Sequence, residues 1–466
     1  MKCVFARRKP SGFVMLALLL AIYLAYNQTG DLTNHAVTRA PTYRNSTDSF
    51  RVEEVILTRA IQNRSVIRSL YYAPVGQRPT NQKYHRHWDV NCSGLFAGNG
   101  TVIKNVSEEI RQERQKESLM PSDSTVVTWT DECALFTRQR GYPTIPNSEE
   151  EASFPLAYII VIHKGSAQVE RLLRAIYQPQ NIYCLHPDSK SSKEFHQAMD
   201  GLANCFANVF IASKLEDVQY PGLTLLLSNI NCMRDLTEQP ASGYQWRYVM
   251  NLCGQDFPLK TNLEIVRQLK AYNGHNGIRS IVPNNLEKRN RTQFQFIVRN
   301  GTVIKTESRM SPAPHQLKVY TGSSYYAVKR DFVNYILRDS VATDLLHWTR
   351  NTKMPDETYW ATLQRAPGVP GGVPQAPELI RPLNIRYVNW YSSRPHTCRG
   401  TFVREVCILT IGDLHYVRKQ PHLFANKFYY QDDPVTLQCL ETVLDFRVRH
   451  PEESTKLPGF PVQYPD

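Results

Sequence analysis

"AYIIVIHKGSAQVERLLRAIYQPQNIYCLHPD", residues 157–188, decides the fold. Its first seven residues are an uninterrupted apolar run, the pattern of a strand buried on both faces. Val169, Leu172, Leu173 and Ile176 then recur at helical spacing, and "NIYCLHPD" reads as a second strand. A strand, a helix and a strand in this order make a βαβ unit with parallel strands. Moving outward, the alternation continues. "SSKEFHQAMDGLANC" (191–205) is a helix, "NVFIAS" (208–213) a strand and "GLTLLLSNINCMRDL" (222–236) a helix. "RYVMNLC" (247–253) is a strand and "NLEIVRQLKAY" (262–272) a helix. The pattern predicts an α/β domain with a mainly parallel central sheet. Ligands of such sheets sit beyond the C-terminal strand ends, which here carry His163, Asp188 and "CGQDFP" (253–258). The second half is less regular. "LKVYTGSSYYAVKRDFVNYIL" (317–337) reads as strands and then a helix, and "APGVPGGVPQAP" (366–377) as a loop.

The 466 residues, 42% hydrophobic and 21% charged, suffice for a sizeable core. A formal net charge of +13 points to an anionic ligand. No zinc-type Cys/His spacing, RNA-binding aromatic signature or long basic run is present, so no nucleic-acid partner is expected.

"GFVMLALLLAIYLAY" (12–26) is uninterrupted apolar sequence preceded by Arg7, Arg8 and Lys9. No small-x-small cleavage site follows, since Tyr23 stands two places before Ala25. We read residues 1–9 as a cytoplasmic tail, 10–27 as an uncleaved signal anchor, 28–120 as a luminal stem and 121–466 as the luminal catalytic domain. The short span suits an early secretory membrane. Sequons at Asn27, Asn45, Asn63, Asn91, Asn99, Asn105, Asn290 and Asn300 agree with a luminal location. So do nine scattered cysteines beyond the anchor, which read as a disulfide framework with one odd thiol. Cys3 or an unpaired stem cysteine would allow a covalent homodimer.

There is no P-loop, no GxGxxG after the first strand and no GxSxG. Nor is there an Asp-x-Asp, the spacing with which many nucleotide-sugar enzymes hold a divalent metal. Fixed cations near the C-terminus, Arg404, Arg418, Lys419 and Lys427, would then have to neutralise a leaving diphosphate, unless they are simply a solvated basic face. "MPDETYWATLQ" (354–364) offers two acids. Pro355 and an acid in the first turn are what a helix start requires, so Asp356 and Glu357 by themselves read as structural.

"LLRAIYQPQNIYCLHPD", "NLCGQDFPLKTNLEIVRQLK", "PDETYWATLQR" and "LFANKF", in this order, resemble the core 2 and I-branching β-1,6-N-acetylglucosaminyltransferases over about Asn91 to Cys439. The resemblance implies a type II Golgi membrane protein with a GT-A-like domain. It would transfer GlcNAc from UDP-GlcNAc to the 6-hydroxyl of Gal or GalNAc on a glycoprotein or glycolipid, with inversion and without a metal or other cofactor. It implies the pairs Cys92–Cys439, Cys133–Cys205, Cys184–Cys232 and Cys398–Cys407, with Cys253 free. It makes Glu357 the general base, a role typically worth about 10²–10⁴-fold, and leaves Asp356 as the helix-start acid. Arg404 and Lys427 match the family's diphosphate contacts. Val161, Ile162, His163, Asp188 and Tyr220 match positions lining the UDP site, although His163 could equally be an interior histidine and Tyr220 a packing aromatic. Trp390 matches the sugar-stacking tryptophan on the acceptor side, where Glu357 also faces the sugar.

The acceptor segment departs from the family. In "GIRSIVPNNLEKRN" (277–290), Arg279 replaces an acid, Glu287 a lysine and Asn290 an arginine. A glycan on Asn290 would obstruct an acceptor there. The expected function is β-1,6-GlcNAc transfer to an acceptor other than the core 1 disaccharide. The alternatives are a catalytically silent UDP- or glycan-binding homologue that modulates an active relative, and a transferase of another sugar such as xylose.

Overall fold

The computed structural model describes residues 84–238, 243–299, 301–374, 384–392 and 397–454. The anchor reading at 10–27, Cys3 and the sequons at Asn27, Asn45, Asn63 and Asn300 lie outside them. Among the described residues no helix is long and apolar enough to cross a membrane.

The quoted stretch forms a central strand β1 (Leu156–Ile162), a helix (Ser166–Ile176) and a parallel neighbour β2 (Ile182–Pro187). β3 (Val209–Ile211) pairs parallel outside β2, and β4 (Tyr248–Cys253) parallel on the other side of β1. β5 (Gly277–Ile281) and β6 (Thr321–Lys329) complete a six-stranded sheet of order β3-β2-β1-β4-β6-β5. β6 runs against both of its neighbours. The sheet is therefore mainly parallel, as expected.

Alternation along β1 explains why it is apolar throughout. Leu156, Tyr158, Ile160 and Ile162 enter the core on one face of the sheet, while Ala157 and Ile159 enter a second core on the other. The first core is shared with the helices Ser166–Ile176, Lys193–Asn204 and Asn262–Ala271. The second is shared with Leu223–Glu238, Arg330–Arg338, Ser340–Thr349 and Pro355–Leu363.

Two differences from expectation matter. Residues 84–120, inside the span read as stem, are packed: Tyr84, Trp88, Leu95, Phe96, Val106, Ile110 and Leu119 all join the first core. The folded unit thus begins before residue 121. Its signal was weak because the helix Gly100–Lys116 buries only Val106 and Ile110. His85 anchors this segment between the Tyr430 hydroxyl (2.9 Å) and the buried Glu170 carboxylate (2.7 Å). The second difference is a small sheet in which Phe424–Asn426 pairs parallel with Arg386–Val388 and antiparallel with Asp256–Pro258. It sets "LFANKF" against "CGQDFP" and so carries Lys427 to the end of β4.

The disulfides are Cys92–Cys439, Cys133–Cys205, Cys184–Cys232 and Cys398–Cys407, with Cys253 free, as the resemblance implied.

Candidate active site

The site is built at the C-terminal ends of β1, β2 and β4. The Ile162 side chain is 1% exposed and packs in the core, so its contribution there is its backbone: its carbonyl accepts the Asp188 N–H (2.7 Å). Val161 is half-buried and His163 exposed at the strand end. Partial desolvation, and then the Lys164 charge, hold the His163 imidazole below its usual value. Arg404 and Lys427 act in the same sense and Asp188 against them. Asp188 accepts the Lys190 and Val218 backbone N–H groups (3.2 and 3.3 Å) and pairs with the Lys190 ammonium (3.2 Å). It thereby fixes the loop leading to Tyr220.

Arg404 is presented by an unusual turn. Phe402–Val403 and Val406–Cys407 pair antiparallel, and the two residues between them, Arg404 and Glu405, have φ of 51° and 65°. Two successive left-handed residues are what a tight hairpin with right-handed strand twist needs, but Asn-Gly normally supplies them. Arginine and glutamate pay a steric cost there. The Cys398–Cys407 disulfide, the Trp390–Val406 bridge and the Tyr391 N–H to Glu405 carbonyl bond (2.8 Å) hold the turn. Its guanidinium lies 5.4 Å from the Tyr220 ring centroid. Trp390, 39% exposed, is thus fixed to the hairpin that carries Arg404.

Lys427 follows Asn426, whose amide donates to Asp256 (2.8 Å). Asp256 also accepts the Cys253 N–H (2.7 Å) and pairs with Arg386 (3.3 Å). Arg386 lies between the Tyr325 and Phe424 rings (4.5 and 4.8 Å). All four groups of this support are buried or nearly so. Desolvation lowers the Lys427 ammonium from its ordinary value, and Arg404 and Lys164 lower it further. Lys164, which was not singled out in the sequence, therefore shares the cationic corner. Arg418 and Lys419 instead end the short helix Leu414–Val417, which packs on the helix Cys92–Ala97.

Across the cleft, Pro355 opens the helix Pro355–Leu363. Asp356 is buried and takes backbone N–H bonds from residues 356 and 357. Burial, and then the neighbouring Glu357 charge, push its carboxyl up to about 7. Glu357 is partly accessible. Arg291 Nη1 donates to its Oε2 at 2.6 Å, and Arg291 also bonds Glu287 at 2.9 Å. Burial raises the Glu357 carboxyl, and the Arg291 charge partly offsets this. Tyr220, half exposed, links the two sides: desolvation, Glu357 and Asp356 raise its phenol, while Arg291 and Arg404 oppose them.

Three backbone bonds lock this side together. Met354 N–H reaches the Pro221 carbonyl (3.0 Å), Lys353 N–H that of Arg291 (3.1 Å), and Phe296 N–H that of Asn351 (2.8 Å). Arg291, next to Asn290, is the arginine that bonds Glu357. Arg291 stands four residues after Glu287 on the helix Leu286–Gln293, so the two share a face, while Asn290 is half-buried and about 100° round the helix from Arg291. Asn91, Asn99 and Asn105 are exposed. The first two cap helices through Oδ1, which leaves the amide nitrogen, the glycan-bearing atom, outside the cap.

Residues 156–418 match the Core-2/I-Branching enzyme family. The chain is 38% identical over 392 residues to beta-1,3-galactosyl-O-glycosyl-glycoprotein beta-1,6-N-acetylglucosaminyltransferase 4 of Danio rerio, covering 82% of this chain and 90% of that protein. It is 42% identical over 343 residues to the N-acetyllactosaminide beta-1,6-N-acetylglucosaminyl-transferase of Homo sapiens, covering 72% and 84%. A human beta-1,3-galactosyl-O-glycosyl-glycoprotein beta-1,6-N-acetylglucosaminyltransferase is 38% identical over 365 residues, covering 76% and 84%.

Proposed function

The chain belongs to the Core-2/I-branching enzyme family of glycosyltransferases, and from that premise we propose the chemistry of its reaction. It transfers GlcNAc from UDP-GlcNAc to the 6-hydroxyl of a Gal or GalNAc residue on a glycoprotein or glycolipid glycan, forming a β-1,6 branch. Glu357 takes the proton from the attacking hydroxyl. Arg404 and Lys427 stabilise the departing UDP by fixed positive charge in place of a metal ion. His163 and Asp188, with the backbone of Val161 and Ile162, border the nucleotide. Trp390 stacks on a sugar. The reading is supported above all by Tyr220, which has Arg404 against its ring and feels the Glu357 charge. A cation for the leaving group and a carboxylate for the nucleophile thus flank one side chain, as a single in-line displacement requires. On this reading the chain is a type II Golgi membrane protein held by residues 10–27.

The Arg291–Glu357 ion pair is the one observation favouring a silent glycan-binding homologue, because it occupies the base. The test is the full-length enzyme with UDP-GlcNAc and Gal- or GalNAc-terminated glycans in EDTA, beside its Glu357→Gln variant. Product from the wild type, lost in a variant that still binds UDP, supports the reading. UDP binding with no product on any glycan supports the silent homologue.

A further inference from the structure

The acceptor side of the cleft carries more positive charge than its own acids can balance. Residues 279–309 hold seven Lys or Arg and two Glu. Lys305 and Arg309 stack on the Phe294 ring (3.6 and 5.2 Å). Arg291 alone takes both nearby carboxylates, Glu287 and Glu357. Arg279, Lys288 and Lys353 are left with no side-chain hydrogen bond or ion pair among the described residues. Lys288 is half-buried, and after desolvation the charges of Arg279 and Arg291 disfavour its ammonium most, with Glu357 and Glu287 opposing. Like charges crowded together in this way raise the energy of the empty site, and an anion relieves it.

Arg279 is held out by construction. The β5–β6 register shifts between Ile278 and Ser280, a bulge centred on Arg279, and leaves it exposed. Opposite lies Gly322, where a Cβ would come within 1.8 Å of the Arg279 carbonyl oxygen, so a glycine is required for the two strands to approach. Bulges of this kind re-aim side chains beside active sites.

We propose, resting on the transferase reading above, that Arg279 and Lys288 bind a fixed negative charge on the acceptor glycan, a sulfate ester or a carboxylate on a sugar near the accepting residue. The anion arrives with the acceptor and not with the donor. The donor's diphosphate has its own cations, Arg404 and Lys427, and Lys288 shares its surroundings with Glu357. This would make the charge a condition of recognition, in keeping with the loss of an acidic side chain at position 279.

The test uses the full-length enzyme, UDP-GlcNAc and one Gal-terminated glycan in three forms: neutral, 3-O-sulfated and sialylated. The expected result is a kcat/KM at least about 10-fold higher for a charged form, carried by KM and falling as salt rises from about 50 to 300 mM. Which charged form is preferred identifies sulfate or carboxylate as the source. Lys288→Ala and Arg279→Ser should each shrink the charged-to-neutral ratio, and Lys288→Arg should restore it, which loss of packing would not do. Equal use of the neutral and charged forms, or a preference untouched by these variants, overturns the inference while leaving the transferase reading intact. If no form is used, equilibrium binding of the same three glycans decides the inference. Charge-dependent binding lost in Lys288→Ala supports it, and its absence overturns it.

Discussion

The two sides of the candidate site, meeting at Tyr220, are built differently. On the side proposed for the donor, each cation has a dedicated support. Lys427 stands on Asn426, Asp256 and Arg386, and Arg404 is set in a strained turn closed by a disulfide. On the acceptor wall the charges are held by one another or by nothing. Arg291 bridges two glutamates, while Arg279 and Lys288 project from a bulge and from a helix with no buried residue. The donor is the invariant part of a nucleotide-sugar reaction and rewards rigid preorganisation. The acceptor is the variable part, and a lightly supported segment changes its charge without disturbing the core.

Substitutions can break this contrast. The largest effect is expected for Glu357→Gln, which should lower kcat by about 10²–10⁴-fold with UDP binding retained, measured by product formation and by calorimetry. Removing a support on the donor wall comes next. Asp256→Ala strands Arg386 in the interior and should cost roughly 3–5 kcal/mol in denaturant unfolding, whereas no charge removal on the exposed acceptor segment should approach that. Arg404→Ala should reduce kcat by about 10²-fold or more, and should weaken binding of UDP more than binding of uridine. If both affinities fell equally, Arg404 would not be acting on the diphosphate.

A gentler test sharpens the acceptor side. Glu357 must be ionised to act, and its carboxyl is raised by burial and lowered by Arg291. Arg291→Ala removes the opposing charge, so the carboxyl rises further and the acid limb of the kcat profile moves to higher pH. The variant should lose more activity near pH 6 than near pH 8, and an unmoved limb would separate Arg291 from the base. Stability should also respond to Asp356. Its carboxyl stands at about 7 when folded against about 3.9 in an unfolded chain, so the folded state holds more protons. Stability therefore falls as pH rises from about 4 to 7, and Asp356→Asn should flatten that slope in thermal unfolding.

The same contrast governs what could be read from the sequence. β1, β2 and β4 were visible because burial on both faces makes them continuously apolar. The resemblance carried by the long motifs singled out Arg404 and Lys427, yet the turn that presents Arg404 was hidden. "VREV" at 403–406 contains no Asn-Gly or Asp-Gly to announce a hairpin, because Arg404 and Glu405 take the two left-handed positions. The helix Leu286–Gln293 has no apolar face to fix its phase, so nothing in the sequence set Arg291 against Glu357. Residues 84–120 were read as stem for a similar reason, since their few buried side chains are spread through polar sequence and meet the core through Cys92 and His85.

The most direct test of the account is the anomeric configuration of the product, read by NMR after transfer from UDP-GlcNAc by the full-length enzyme in EDTA. A β-linked GlcNAc on the 6-carbon, absent with Glu357→Gln, is what a carboxylate facing Arg404 and Lys427 across one cleft predicts. An α-linked product, or a β-linked one formed undiminished by the variant, would contradict it.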